Sequence, residues 1–374
     1  MDREIKFVCQ WGRNRKTAWS GTYLSILNGL KKHYQVEEIC IKTPFTSQVY
    51  QFLEKRIKML RHQYQYKDIQ KASLEINSLL DSKEKCVFTF CEFPFDEKVH
   101  SYIYQDMCAD YIQNVILATP ELRKHYTYHR VSHKALDKRM VNQEKFYKEC
   151  KGIFTMGKWL ADYMSEEMGI PKEKIHVVGA GIDIDVNKIA PIEKENNKVL
   201  FIGKAFFEAK GGYILIEAFK VLKAKYIHNA ELYIVGPETN PLKGHIEGIH
   251  FEGLKSVDEL FEYYNKCDIF VMPSYIDAYG KVFAEALSCG MPCIARRAFA
   301  MQDIIQDGVN GYLIDNDDIN ILAKKMYDLL TNQNIKKNVF EHMKEYQKLY
   351  SWDSVAERIA TVINQDEYMK KVEG

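Results

Sequence analysis

The sequence predicts an α/β protein made of two domains with parallel sheets. Three observations point there. Short apolar runs alternate with longer segments of helical period along the whole chain, the rhythm of βαβ units. A polar, charged, proline-bearing stretch, "NKIAPIEKENNKV", interrupts that rhythm at 187–199, as a linker between compact units does. At 374 residues the chain is long for one domain and sufficient for two that each bury their own core.

In chain order, "IKFVCQ", "VEEICI", "CVFTFC", "SYIYQD" and "GIFTMG" read as the strands of the first half, and "KVLFIG", "AELYIVG", "DIFVMPS" and "PCIA" as those of the second. The helix-period segments between them include "YLSILNGLKKHY", "GYILIEAFKVLKAKY", "VDELFEYYNK" and "INILAKKMYDLL". The tail, "YSWDSVAERIATVINQ", reads as a helix able to pack back across the domain junction.

Hydrophobic residues make up 46% and charged ones 28%, ordinary for a globular protein. A formal net charge of +1 offers no basic field for nucleic acid. No apolar run approaches the roughly 20 residues of a membrane span, and "MDREIKFVCQWG" reads as a first strand and not a signal peptide. The nine cysteines are odd in number, form no C-x-x-C pair and fall in apolar runs. Buried free thiols in a reducing cytoplasm are expected, and the spacing disfavours zinc.

The chemistry concentrates in "PSYIDAYGKVFAEALSCGMPCIA", residues 273–295. A strand runs into a turn and then a short helix that stops at Gly290, with Pro292 beyond. A helix start at the carboxyl end of a strand offers amides, from Tyr279 to Val282, and a positive dipole end to a phosphate. Asp277 precedes the amides and can accept from hydroxyls; Glu285, a turn into the helix, can accept from both hydroxyls of a ribose. Two plainer readings stand beside these. Asp277 could be only an N-cap, and Glu285 could pair with Lys281 at i, i+4. At the opening of the second half, "KVLFIGKAFFEAKGG" runs a strand into Gly203 and Lys204, with Lys210 and Gly211 after a short loop. Those lysines can reach a diphosphate as point charges, or lie on a solvated loop.

With these residues in view, the second half resembles the retaining family 4 glycosyltransferases of the GT-B fold. The resemblance runs from "VLFIGKAFFEAKGG" through "PSYIDAYGKVFAEALSCGMPCIA" and "DIIQDGVNGYLI" to Trp352, and "GIFTMGKWLADYMSEEMGIPKEKIHVVGAGID" is similar to the family's lead-in to its interdomain crossover. It implies two Rossmann-like domains facing each other across a deep cleft. Residues 1–186 would bind acceptor, 187–350 would bind a nucleotide-diphosphate sugar, and 351–374 would form a crossover helix and tail. By position, Lys204 and Lys210 would hold the diphosphate, with Gly203 beside them. Asp277 would contact the donor sugar and Glu285 the ribose. The amides of Ala278, Tyr279 and Gly280 would face sugar hydroxyls, and those of Lys281 and Val282 the phosphates. Gly253 and Leu254 would flank the base. The implied reaction is metal-independent, retaining transfer of a hexose to an acceptor hydroxyl on a glycan, lipid-linked sugar, small molecule or protein, with no cofactor besides the donor.

This sequence departs from the family at several points. Lys204 stands where arginine is usual, Asp277 where glutamate is, and Phe299-Ala300 where two glycines are common, although Asp303 keeps the acid that follows. In the first domain, Gln105 and Asp106 stand where many relatives place a histidine; Asp106 would bind acceptor, assist the reacting centre, or cap a loop. "GRNRKTAWSGTYLSIL" resembles the family's first glycine-bearing loop, with Gly21 permitting close backbone approach and a helix starting at Thr22. Arg13, Arg15 and Lys16 would meet an anionic acceptor or simply be solvated. "DID" at 183–185 and "GAG" at 179–181 read as structural. The rivals are a sugar-phosphate synthase or phosphorylase on the same scaffold, and a catalytically silent nucleotide-sugar-binding partner of another transferase. A basic amphipathic segment at 50–71 suits either an outer helix or peripheral contact with an anionic membrane.

Overall fold

The computed structural model describes residues 3–11, 14–41, 74, 76–78, 85–126, 133–189, 196–203, 206–242 and 244–366. Lys204, Arg13 and the basic segment at 50–71 lie outside them. The chain forms two compact units, residues 1–181 with 352–374, and residues 182–351. The sequence reading set the breaks at 186/187 and 350/351; the first unit instead ends at Gly181, and it takes in the C-terminal helix.

The first unit holds a six-stranded parallel sheet in the order β2-β1-β3-β4-β5-β6. Its strands are β1 Glu4–Cys9, β2 Gln35–Cys40, β3 Lys85–Thr89, β4 Val99–Gln105, β5 Gly152–Thr155 and β6 Ile175–Val177. The second unit holds another, in the order β12-β11-β10-β7-β8-β9. These are β7 Lys198–Ile202, β8 Glu231–Val235, β9 Ile249–Gly253, β10 Ile269–Met272, β11 Cys293–Arg296 and β12 Gly311–Ile314. Inner strands of parallel sheets are covered on both faces and so tend to near-continuous apolar runs; all four residues of β10, IFVM, are buried. The sequence reading missed β6, β9 and β12, and all three are sheet edges. β9 (IHFEG) has one residue of five buried and β6 (IHV) has none, so neither carries a continuous buried run, while β12 (GYLI) has three of four buried but is only four residues long.

Strand order decides where ligands can sit. In the second unit, successive strands run outward from β7 to β8 and β9, and then from β10 to β11 and β12 on its other side. The direction reverses between β7 and β10, which pair directly through Ile269 with Val199 and Phe270 with Leu200. Loops leaving the carboxyl ends of those strands diverge and open a crevice. In the first unit the equivalent reversal lies between β1 and β3.

The C-terminal helix Trp352–Ile363 belongs to the first unit and lies against the helix Thr22–Leu30. A Cβ on Gly29 would come within 2.5 Å of Ala356 Cβ, so the two backbones meet closely there. The Tyr34 hydroxyl donates to Asn364 Oδ1 at 2.8 Å, and Arg358 Nε donates to the Val178 carbonyl at 2.8 Å. Beyond the helix, Asp366 accepts from the Tyr102 hydroxyl at 2.8 Å and sits 2.8 Å from His100 Nδ1.

Candidate active site

The β7–β10 reversal in the second unit gathers most of the residues singled out from sequence. β7 ends at Ile202 and runs into Gly203, whose amide donates to the Val235 carbonyl at the end of β8. The loop returns through Ala209, Lys210 and Gly211 into the helix Gly212–Lys225. From β10 the chain runs through Pro273 to Gly280 into the helix Lys281–Ser288. The two loops are stitched together: the Tyr275 amide donates to the Ala209 carbonyl at 2.9 Å, and Ser274 Oγ reaches the same oxygen at 3.3 Å. Gly211 makes this approach possible. Its φ is +76°, and a Cβ there would meet the Pro273 carbonyl oxygen at 2.3 Å.

That contact brings Lys210 and Asp277 face to face. Lys210 Nζ lies 2.5 Å from Asp277 Oδ2, with both side chains largely covered. Asp277 is therefore not an N-cap. The N-cap is Gly280, at φ +75° and with no side-chain capping bond, so the helix opens on bare backbone. The Asp277 carboxyl carbon lies 3.7 Å from where a Cβ on Gly280 would stand, which places the acid directly over that helix start. Ala278 and Val282 lie on the same turn, and Tyr279 is buried within it.

Glu285, one turn into the helix, is 6% exposed, and its Oε2 accepts from the Tyr264 hydroxyl at 2.8 Å. Tyr264 is fully buried on the helix Val257–Lys266. Burial raises the Glu285 carboxyl above its usual value; the Asp183 charge pushes the same way, while Lys281 and the Tyr264 hydroxyl oppose it. The i, i+4 pairing offered for Lys281 does not form the ion pair. Its ammonium is bonded instead to the Asp183 carboxylate. "DID" reads as structural from sequence; in the fold Asp185 Oδ1 caps the turn Val186–Lys188, and Asp183 takes the Lys281 ammonium. Nothing local marks Asp183, since its partner is 98 residues away.

Further along the same sheet end, Gly253 closes β9 at φ +68°, and its carbonyl accepts from the Gly236 amide at 2.8 Å. Leu254, next to it, is 47% exposed. After β11, Phe299 is buried with φ +51°, a left-handed conformation that glycine adopts freely and phenylalanine does not. The backbone thus holds a glycine-like conformation at Phe299, the position where the resemblance implies a glycine. Among the described residues, no group of three His, Cys, Asp or Glu is placed to hold a metal ion.

The first unit's reversal point carries Gly21 and Thr22. Gly21 is the N-cap of the helix Thr22–Leu30 at φ +84°, and Thr22 is buried. Trp19 and Ser20, at φ +43° and +52°, precede it in left-handed conformations. The Trp19 ring lies 5.8 Å from both the Phe90 and Tyr104 rings and 5.5 Å from that of Tyr23. Arg15 is exposed, with its guanidinium 4.1 Å over the Trp11 ring and paired with Glu38. Gln105 is buried and serves the fold: its amide donates to the Phe90 carbonyl at 3.1 Å, and its oxygen accepts from Tyr147. Asp106, one residue past β4, is half-buried and close enough to Tyr23 for its charge to act on that hydroxyl. "GAG" is structural: the Gly179 carbonyl accepts from Tyr104 at 2.6 Å, and Gly181 lies against the Trp352 ring. All nine cysteines are free thiols, and seven are buried. No helix among the described residues is long and apolar enough to cross a membrane.

Residues 184–349 match the family model of glycosyl transferases group 1. An uncharacterized glycosyltransferase of Methanocaldococcus jannaschii is 32% identical over 203 residues, 54% of this chain and 56% of that one. The chain thus spans about half the length of the curated relatives it matches. The sucrose-phosphate synthase of Thermosynechococcus elongatus superposes with a TM-score of 0.65 at 14% identity, over 97% of this chain and 98% of the other. An Anabaena protein whose crystal structure contains UDP and glucose gives 0.59 at 14%, over 97% and 99%. The chain therefore has the GT-B fold of two Rossmann-like units, and its second unit belongs to the glycosyl transferases group 1 family.

Proposed function

We propose that this protein is a metal-independent, retaining glycosyltransferase that moves a hexose from a nucleoside-diphosphate sugar to an acceptor hydroxyl. The observation that carries the proposal is the Lys210–Asp277 pair, set over a helix start at the reversal point of the second sheet. The cation and the capless helix N-terminus match the diphosphate of such a donor, and the anion matches its sugar hydroxyls.

In this reading the donor diphosphate takes over the Lys210 ammonium and the amides of Lys281 and Val282. Asp277, released from Lys210, accepts from hydroxyls of the sugar with help from the amides of Ala278, Tyr279 and Gly280. Glu285 accepts from the ribose hydroxyls, and Gly253 and Leu254 flank the base. Lys204, following Gly203, adds a second cation. Charge growing on the leaving diphosphate is met by groups already in place, which is electrostatic preorganisation. Breaking the anomeric C–O bond expels the nucleoside diphosphate with the bonding pair and leaves a short-lived oxocarbenium ion. The acceptor hydroxyl attacks it on the face the diphosphate left and passes its proton to a leaving phosphate oxygen. Gly21 and Thr22, with Asp106, serve the acceptor side. Nucleoside-diphosphate sugars incubated with the full chain test the proposal by release of the nucleoside diphosphate. No release and no binding across UDP-, ADP-, GDP- and dTDP-sugars would refute it, and an α-linked product from an α-linked donor would establish retention.

A further inference from the structure

Asp183 touches both ends of the helical turn that carries Glu285. Its carboxylate takes the Lys281 ammonium, and its backbone amide donates to the Glu285 carboxylate. The Asp183 and Lys281 side chains are only 22% and 18% exposed, so water compensates neither charge fully. Tyr264 holds Glu285 from the neighbouring helix. Lys281 and Glu285 are four residues apart on one helix, the spacing at which side chains meet. Attraction between them already acts across that turn. If the Asp183 carboxylate is lost, the same ammonium is left partly buried with Glu285 one turn along its own face.

We infer that Asp183 is a positioning residue for the donor site: by occupying Lys281 it keeps the Glu285 carboxylate open to ribose hydroxyls. The inference rests on the proposed nucleotide-sugar function. It explains why a lysine one turn before the ribose acid does not neutralise it. It also gives the aspartate at the entrance of the second unit a task that its sequence neighbours do not share, since Asp185 serves only its own turn.

The test is calorimetric titration of the full chain with UDP, ADP, GDP and dTDP, using whichever binds the wild type most tightly. Asp183→Ala and the isosteric Asp183→Asn should each weaken binding at least about tenfold, the size of one lost charge-assisted hydrogen bond. Adding Lys281→Met to Asp183→Ala should restore most of that loss, because the competing ammonium is gone while the Lys281 backbone amide stays. Asp183→Glu should bind within a few-fold of wild type. Wild-type affinity in Asp183→Asn, or a double variant as weak as Asp183→Ala, would overturn the positioning role. Failure of the wild type to bind any of the four would instead refute the nucleotide-sugar function itself.

Discussion

Replacing Glu285 by glutamine separates a carboxylate kept for a ligand from one kept for the fold. The side chain is 6% exposed, and burial is the main force raising its carboxyl above the usual value. The folded state therefore holds this proton over a pH range in which the unfolded chain, with an ordinary value near 4.5, has already released it. In that range the native state binds more protons than the unfolded one, so stability falls as pH rises toward neutrality. One group can impose a slope of at most about 1.4 kcal/mol per pH unit. For a unit of about 170 residues this is roughly 3–6 °C in Tm per unit of pH. Glu285→Gln does not ionise. It also keeps an oxygen for the Tyr264 hydroxyl and removes the repulsion with Asp183. Its Tm relative to wild type should rise from pH 4.5 to pH 8, while nucleoside-diphosphate affinity drops about 10- to 150-fold, the loss of one hydrogen bond to a charged group. Thermal melts across pH and calorimetric titration supply the two readouts. A Tm difference independent of pH would refute the burial reasoning, and unchanged diphosphate affinity would refute the ribose role.

Other perturbations follow from the same geometry. Lys210→Met should weaken nucleoside-diphosphate binding by about tenfold or more and reduce its salt dependence, since a phosphate-facing cation is lost and Asp277 is left unpaired; equal binding at 0.05 and 0.5 M salt in the wild type would contradict it. Gly211→Ala should cost about 2–4 kcal/mol in denaturant unfolding, from a positive φ and a carbonyl 2.3 Å from the new Cβ; an unshifted midpoint would show that the two loops do not meet. Asp366→Ala should remove bonds to Tyr102 and His100 and destabilise the first unit by about 1–3 kcal/mol, seen as faster proteolysis of the C-terminal segment; an unchanged cleavage rate would count against that anchor.

The alternation of strand and helix, and the acids and lysines at strand ends, were legible in the chain because each is a local pattern. A buried parallel strand favours a near-continuous apolar run, so "DIFVMPS" announces itself. A helix start with acids around it needs only a dozen consecutive residues. Edge strands such as β9 escaped because one covered side imposes a weaker pattern. The C-terminal helix was recognised, but only the folded chain shows it lying on the helix Thr22–Leu30.

Sequence by itself determined which residue types stand at the carboxyl ends of β7 and β10, because those positions follow directly from strands that burial makes readable. Tertiary structure alone decided their pairings. Lys210 meets Asp277 because the strand order reverses between β7 and β10 and Gly211 lets the two loops touch. Lys281 turns from Glu285, four residues away, to Asp183, 98 residues away, because the fold brings a second carboxylate to a partly buried ammonium. Charge pairing depends on distance through space, and neighbours along the chain are only some of the neighbours that folding provides.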